Sequence, residues 1–421
     1  MPANTSTASR TVPAAVYVLA AGVFTMVTSE FAVAGLMPQL ADSLGTGIEQ
    51  IGYLVTVFAI AMTVGGPALT LALLRVTPRT ALLTIFVIFF AGNLLAASAT
   101  SYPAMVAARV VTGVAAQAFF GIAISLCARL VDPGIRGRAV GVALNGLMLG
   151  TLLGLPLATL IGGRLGWQAA FWGIAVLTVI AAGLTLALVR NPVAEPDSAE
   201  VRTRLTGELA VFRRPQLLLA LASSTMIIGA TFAMFSFLTP ILTRISGFGG
   251  DTVPLLLLAY GAATLLGNIV VGRLADRHTG GVLLIGTTLN LAFLVGFALL
   301  ADVPLPAVVF MLGIGLVGIT MNPAMAVRVQ RAGSTRPLVN TVHASFITLG
   351  VILGSGLGSA LIPGHGLRAP IVLGIGFAVV AVISVLPMLR NPHLRNGTRP
   401  EVEMPSVGSE QPGTMSAGAS N

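Results

Sequence analysis

Twelve long apolar stretches follow one another along this chain, and they constrain its fold more than any other feature. Each approaches or exceeds the roughly 20 residues that a helix needs to cross the hydrocarbon core of a bilayer. Only 9% of the residues are charged, against roughly a quarter in soluble domains. The sequence therefore predicts an all-α integral membrane protein. Its spans are predicted at 13–37, 51–74, 80–99, 103–127, 138–163, 169–189, 216–243, 252–272, 281–301, 305–327, 338–362 and 369–389.

One long polar segment separates the first six spans from the last six. This division predicts two six-helix halves, at 1–189 and 216–390, joined by a cytoplasmic central loop at 190–215. The tail at 391–421 is rich in Pro, Gly, Ser and Glu, a composition typical of disorder.

The basic residues indicate the orientation in the membrane. All 23 are arginine, and with the N-terminus inside, 19 of them fall on the cytoplasmic side and three in outer loops. This bias follows the positive-inside rule and predicts that both termini are cytoplasmic. The arginines are scattered between apolar runs rather than clustered on one soluble face, so the net charge of +9 does not predict a nucleic-acid partner.

Proline, glycine and arginine residues of the first half recur in the second half at an offset near 200 residues. Related halves place a substrate site between them near the middle of the membrane, where rocking of one half on the other gives alternating access. Chance repetition among glycine-rich spans is the alternative. The matched pairs are Pro38 with Pro240, Gly65 with Gly267, Arg75 with Arg277, Gly150 with Gly350, and Gly154 with Gly354.

Glu30 is the one acidic residue, and Arg109 the one basic residue, that we place within a span. Glu30 precedes Pro38 by roughly 12 Å of helix, and Arg109 follows Pro103 by roughly 9 Å from the same side. The two charges are therefore predicted to lie at similar depth, and an intramembrane charge is rarely without a function.

We hypothesise that Glu30 carries a coupling proton and that Arg109 tunes its affinity for that proton and balances its charge. Burial and a neighbouring guanidinium act in opposite senses on a carboxyl group, so Glu30 can gain and lose a proton near neutral pH. A static structural ion pair is the alternative for both residues. Arg109 alone has a further alternative, in which its side chain snorkels to the outer surface.

Aromatic and amide side chains are the candidates for a substrate-binding wall. A mostly apolar wall with one acid suits neutral or cationic amphipathic molecules. Tyr53 and Phe58 do not share one helix face, so only one of them is expected to face the cavity squarely. The candidates are Tyr53, Phe58, Gln117, Asn145 and Phe235.

The segment GRLADRHTG, between spans 8 and 9, is predicted to end a helix and to form a charged latch. Asp276 and Arg277 would bridge to neighbouring helix ends, with Gly272 at the start of the segment; a solvated loop is the alternative. The segment resembles the loop signature of the major facilitator superfamily. The corresponding loop of the N-terminal half has Leu74 in place of the aspartate.

Span 5 carries glycines at every fourth residue, followed by a proline. Gly150 and Gly154 would let another helix approach closely, and Pro156 permits a bend. The pattern resembles the antiporter motif of exporters in the same superfamily, with Leu155 inserted before the proline. Ordinary packing of small residues is an equal alternative.

Two further motifs narrow the resemblance. Arg109-Val-Val-Thr-Gly113 resembles the Arg-x-x-x-Gly signature of proton-driven drug exporters. Thr28-Ser-Glu-Phe31 with Gly35-Leu-Met-Pro38 resembles span 1 of the twelve-span drug:proton antiporters. The likeness is to the branch that holds chloramphenicol-resistance exporters and arabinose, sugar and purine-nucleoside efflux proteins.

The resemblance implies the fold of the major facilitator superfamily, with twelve transmembrane helices in two pseudo-symmetric halves. It implies a proton-coupled antiporter that exports small hydrophobic compounds, such as chloramphenicol-like antibiotics, through a bacterial inner membrane. The expected partners are a small-molecule substrate, protons and the lipid bilayer. We expect a monomer with no cofactor and no metal, driven by the proton gradient.

Three other functions compete with proton-coupled drug export. Efflux of sugars or purine nucleosides stays open because Gln117, Asn145, Asn268 and Asn340 offer polar side chains. A transporter-like membrane sensor is a remote alternative. An enzyme is not expected, since His343 is the only histidine that we place within a span and no catalytic constellation accompanies it.

Overall fold

The computed structural model of the protein describes residues 12–132, 135–190, 210–333 and 337–387. Within these ranges the regular secondary structure is entirely helical. Most of the predicted central loop, at 191–209, and the whole predicted tail lie outside the described residues.

Six apolar helices form the N-terminal half. A short helix, Met37–Leu44, follows span 1 directly. Spans 1 to 6 are Ala14–Gly35, Ile48–Ala72, Pro78–Ala97, Tyr102–Arg129, Arg136–Leu165 and Trp167–Leu188.

The C-terminal half repeats this arrangement. A short helix, Leu238–Arg244, follows span 7. Span 12 has 17 residues and is the shortest of the apolar spans that the structure describes. Spans 7 to 12 are Pro215–Phe235, Val253–Ala275, Arg277–Leu300, Pro304–Ala332, Pro337–His365 and Ala369–Val385.

Successive spans run in opposite directions, so the bundle has two faces. The terminal face holds the start of span 1 and the ends of spans 6 and 12. The distal face holds the two short helices, Met37–Leu44 and Leu238–Arg244.

The predicted helix end between spans 8 and 9 is confirmed. Span 8 ends at Ala275 and span 9 begins at Arg277, and His278 has non-helical backbone angles, with φ −129° and ψ 38°. The chain therefore changes direction within the segment GRLADRHTG.

Spans 7 and 10 are each interrupted by a break in the helix. Span 7 ends at Phe235 before its short helix begins, and span 10 breaks at Gly318, with φ −72° and ψ −89°. Span 1 has a similar break at Leu36. A proline follows each break within the first turn of the next helix and supplies no N–H to the carbonyl four residues earlier. These prolines are Pro38, Pro240 and Pro323.

The internal repeat is visible in matched hydrogen bonds. In the N-terminal half, Ser29 Oγ of span 1 donates to Asn93 Oδ1 of span 3 at 3.0 Å. In the C-terminal half, Asn290 Nδ2 of span 9 donates to Thr231 Oγ1 of span 7 at 3.4 Å. Ser29 and Thr231 are 202 residues apart, so equivalent spans are joined at equivalent positions.

A matched glycine contact repeats at the same offset. A Cβ placed on Gly113 of span 4 would lie 2.7 Å from the carbonyl oxygen of Phe58 in span 2. A Cβ placed on Gly315 of span 10 would lie 3.0 Å from the ring of Tyr260 in span 8. Phe58 and Tyr260 are therefore equivalent positions of the two halves.

The glycines of span 5 pack against span 1. A Cβ on Gly150 would lie 2.7 Å from Val27 Cβ, and one on Gly154 would lie 3.0 Å from Thr28 Cα. The matched glycines of span 11 pack on span 7 in the same way. Small residues thus let the backbones approach closely, as in other transmembrane helix pairs.

The halves meet through spans 2 and 11 and through spans 5 and 8. Thr56 Oγ1 and Ser355 Oγ lie 2.8 Å apart across the first of these contacts, and Gly52 lies against Ser359 nearer the distal face. The two short helices also contact each other. The two halves are therefore closed on each other at the distal face.

Candidate functional site

A small cavity of about 10 Å³ lies between the halves, with room for about one water molecule. Aromatic side chains dominate its wall, and Glu30 is the acidic residue in it. The lining residues are Glu30, Phe31, Ala34, Val55, Phe58 and Ala59 from the N-terminal half, and Phe232, Phe235, Ser236 and Val351 from the C-terminal half.

Residues at two helix breaks line this cavity at equivalent positions. Ala34 and Ser236 both line it, and each lies four residues before a proline, Pro38 or Pro240. A proline has no N–H to complete the helical hydrogen bond with the carbonyl of that residue. The breaks of spans 1 and 7 therefore flank the cavity that Glu30 lines.

Arg109 is fully enclosed, with an exposed fraction of 1%. Its Nη1 donates to the carbonyl oxygen of Ser29 at 2.9 Å, and its Nη2 donates to the carbonyl oxygen of Glu30 at 3.2 Å. The guanidinium carbon lies 4.0 Å from the centroid of the Phe58 ring, a favourable cation–π geometry. Arg109 therefore does not reach the surface and binds the backbone of span 1 instead.

The Glu30 carboxylate and the Arg109 guanidinium do not form a direct ion pair. Within the described part of the chain, no nitrogen–oxygen pair between these two side chains is within 4.0 Å. Two guanidinium nitrogens of Arg109 donate to carbonyls, and its Nε is buried without a hydrogen-bond partner among the described residues. The Glu30 side chain lines the cavity. The positive charge is close enough to influence the carboxyl group without neutralising it by contact.

A polar contact in the core holds the carbonyls that Arg109 binds. Asn93 of span 3 is fully buried; its Oδ1 accepts from Ser29 Oγ and its Nδ2 donates to the Phe89 carbonyl at 2.8 Å. The stretch Ser29–Glu30 is therefore fixed from span 3 and from span 4 at once.

Of the predicted wall residues, Phe58 and Phe235 line the cavity. The Phe235 ring lies edge-on to Phe31 across the interface, at 5.5 Å between centroids, and stacks on Tyr260 at 5.3 Å. Tyr53 is 36% exposed near the distal face and lies outside the lining of this cavity.

The other two predicted wall residues lie elsewhere. Gln117 packs over Gly66 of span 2, and Asn145 is exposed on span 5. Neither lines the cavity that holds Glu30.

The predicted latch residues lie at the terminal face. Gly272 is exposed near the end of span 8 and Arg277 is exposed at the start of span 9, and the side chain of Asp276 lies outside the described part of the structure. In span 5, Gly150, Gly154 and Pro156 are buried.

Sequence reasoning missed several cavity residues, among them Ser236. The signal was available, because Ser236 is 202 residues from Ala34, the same offset that relates Pro38 to Pro240. The offset locates equivalent positions, but their position at a cavity follows only from the packing of the halves.

The family model for the Major Facilitator Superfamily matches the chain over residues 19–333 and 221–412. The chain belongs to this superfamily. It is 35% identical over 348 residues to the chloramphenicol resistance protein of Streptomyces lividans. The alignment covers 82% of this chain and 87% of that protein.

Two further similarities agree with this membership. The inner membrane transport protein YdhP of Escherichia coli K12 is 31% identical over 370 residues, 87% of this chain and 91% of its own length. A bacterial homolog of the human lysosomal transporter Spinster, solved in an inward-facing and unoccupied conformation, has a TM-score of 0.73 at 15% identity. That match covers 89% of this chain and 96% of the solved one. The protein is thus a multi-pass membrane transporter of the major facilitator superfamily.

Proposed function

We propose that this superfamily member is a proton-coupled antiporter that exports small hydrophobic compounds, such as chloramphenicol-like antibiotics, from the bacterial cell. The observation that carries the proposal is the position of Glu30, a carboxyl group in a cavity walled by both halves and without an ion-pair partner among the residues that the structure describes. The resistance protein of Streptomyces lividans supports the class of substrate. The arginine bias supports a cytoplasmic position for the terminal face.

In this proposal the proton and the substrate use the cavity in turn. Glu30 takes a proton when the cavity opens to the outside and releases it when the cavity opens to the cytoplasm. The deprotonated carboxylate favours substrate, and the protonated form lets substrate leave on the other side. Arg109 keeps span 1 in place throughout, because it binds the backbone at Ser29 and Glu30 rather than the carboxylate.

The test removes the titratable group and keeps its shape. We expect Glu30→Gln to abolish export against a gradient, because the amide neither binds nor releases the proton. Export is measured as protonophore-sensitive resistance to a panel of amphipathic antibiotics in an efflux-deficient host, and as chloramphenicol transport in proteoliposomes with an imposed proton gradient. Asp42→Asn, an exposed acid beyond span 1, is the matched control. Wild-type export by the Glu30→Gln variant would disprove the coupling role.

A second candidate function is efflux of sugars or purine nucleosides. A separate cavity of about 80 Å³ lies between spans 5, 8 and 10, and its lining includes Thr151, Thr264, Asn268 and Asn322. Amide and hydroxyl groups of this kind suit polyhydroxy solutes. Counterflow of labelled arabinose and adenosine in the same proteoliposomes, with no change in antibiotic resistance, would favour this candidate over drug export.

A further inference from the structure

Two positions beside the cavity differ between the halves by a single hydroxyl group. The 202-residue offset relates Ala34 to Ser236 and Phe58 to Tyr260. In the C-terminal half, serine replaces alanine at the first position and tyrosine replaces phenylalanine at the second, so each residue gains one hydroxyl oxygen. The additions are on neighbouring spans, 7 and 8.

Neither added hydroxyl has a hydrogen-bond partner within the described protein. Ser236 is 1% exposed and Tyr260 is 2% exposed, and both hydroxyl oxygens are buried without a partner. Leaving a buried hydroxyl unpaired costs about 1–3 kcal/mol. By contrast, Ser224 and Ser355 of the same half donate to the carbonyls four residues before them.

The surroundings of these hydroxyls indicate the ligand. Ser236 lines the same cavity as Glu30. The Tyr260 ring lies behind Phe235, stacked at an interplanar angle of 24°, and Phe232 adds a third aromatic wall, 5.5 Å from Phe235. Aromatic faces with a few hydroxyls suit an aromatic molecule that carries polar substituents.

The charged residues have no counterparts in the C-terminal half. The position equivalent to Glu30 is Phe232, and the position equivalent to Arg109 is Met311, which is fully buried. Both halves contribute aromatic rings to the cavity wall, but their polar groups differ. The N-terminal half offers a carboxyl group, and the C-terminal half offers the unpaired hydroxyl of Ser236 in the wall and that of Tyr260 behind Phe235.

We propose that Ser236 and Tyr260 form a polar subsite that hydrogen bonds the substituents of an aromatic substrate whose ring packs on Phe232 and Phe235. The inference deepens the proposed function and rests on the substrate entering the cavity of Glu30. Since that cavity holds about 10 Å³ in this structure, the ring enters when the halves part and Phe31 leaves the Phe235 ring.

The test returns each position to the residue of the other half, as Ser236→Ala and Tyr260→Phe. Binding to the purified full-length protein is measured by calorimetry with two probes. Chloramphenicol carries nitro, hydroxyl and amide groups on and beside its ring, whereas tetraphenylphosphonium is aromatic and has no hydrogen-bonding group. We expect each variant to bind chloramphenicol about 5- to 10-fold more weakly, the effect of one neutral hydrogen bond. Tetraphenylphosphonium affinity should not change.

Stability provides an independent readout. Removing an unpaired buried hydroxyl should leave the melting temperature of the ligand-free protein unchanged or raise it, whereas a structural hydroxyl would lower it. Tyr17→Phe is the matched control, since Tyr17 is 56% exposed on span 1, and it should change neither affinity nor melting temperature.

Unchanged chloramphenicol affinity in both variants would overturn the subsite. So would an equal loss of affinity for both probes together with a lower melting temperature, and so would a wild-type protein that binds neither probe. The proposed function fails separately. Hydroxyl-dependent binding in a protein that shows no proton-driven export would leave the subsite standing and remove antiport. Proton-driven export of chloramphenicol that does not depend on these hydroxyls would support antiport and disprove the subsite.

Discussion

Arg109 donates from two different nitrogens to two consecutive carbonyls of span 1, while its flat guanidinium covers the Phe58 ring. A lysine ammonium is a compact point charge that cannot reproduce this fork or the stacking. We therefore expect Arg109→Lys to slow chloramphenicol export at least tenfold and to lower the melting temperature. Both are measured on purified protein, the first after reconstitution.

Arg368→Lys is the matched control for this change. Arg368 pairs with Asp302 at 3.4 Å, and both side chains are about half exposed. Exposed pairs of this kind contribute about 0–1 kcal/mol, so export and melting temperature should stay near wild type. Equal effects of the two lysine variants would contradict the role assigned to Arg109.

The depth of Glu30 and Arg109 could be predicted from the sequence, but the contact between them could not. Counting residues from Pro38 and Pro103 places both charges at one level because helical rise is constant. Whether the guanidinium binds the carboxylate or the backbone depends on the side chains around it. Asn93 of span 3 holds Ser29 in place, and the Phe58 ring of span 2 packs on the guanidinium. Both residues lie on helices other than those of Glu30 and Arg109.

At the scale of helices, the close approach of spans 1 and 5 depends on Gly150. A Cβ there would lie 2.7 Å from Val27 Cβ, so Gly150→Leu has to push the helices apart. Overpacking of this kind typically costs 1–3 kcal/mol, and the displaced span 1 carries Glu30. We expect a melting temperature several degrees lower and at least tenfold slower export.

Gly141→Leu is the matched control on the same helix. Nothing lies within 4 Å of a Cβ at Gly141, so a leucine there has space. Its melting temperature should equal or exceed the wild-type value, since leucine favours helix over glycine. If the two leucine variants lost stability equally, helix propensity or insertion rather than packing would explain the loss.

The helix breaks show which element boundaries the sequence reveals. Pro38, Pro240 and Pro323 each follow a break, but Pro67 and Pro156 lie inside helices that continue past them, so a missing N–H permits a break without determining one. The kink between spans 8 and 9 lies in a polar segment without a proline, and that polarity indicated its position.

For the whole molecule, the repeat of the two halves was predictable from the sequence offset, because equivalent helices keep equivalent glycines and prolines. The contacts between the halves were not, because they depend on how two finished bundles dock. Thr56 and Ser355 form one of these contacts, with hydroxyl oxygens 2.8 Å apart. Ser223 and Ser384 form a similar pair at 2.7 Å within the C-terminal half alone.

These two pairs allow a test of whether the halves move as rigid bodies. Cysteines replace each pair in turn, in a Cys127→Ala background that removes the native thiol. If transport requires the halves to part, a disulfide at Thr56 and Ser355 should stop chloramphenicol export in proteoliposomes, and a reductant should restore it. A disulfide at Ser223 and Ser384 should leave export near wild type, because spans 7 and 12 belong to the same half. Export that survives the first cross-link, or that is lost equally with both, would contradict rocking of the halves about the Glu30 cavity.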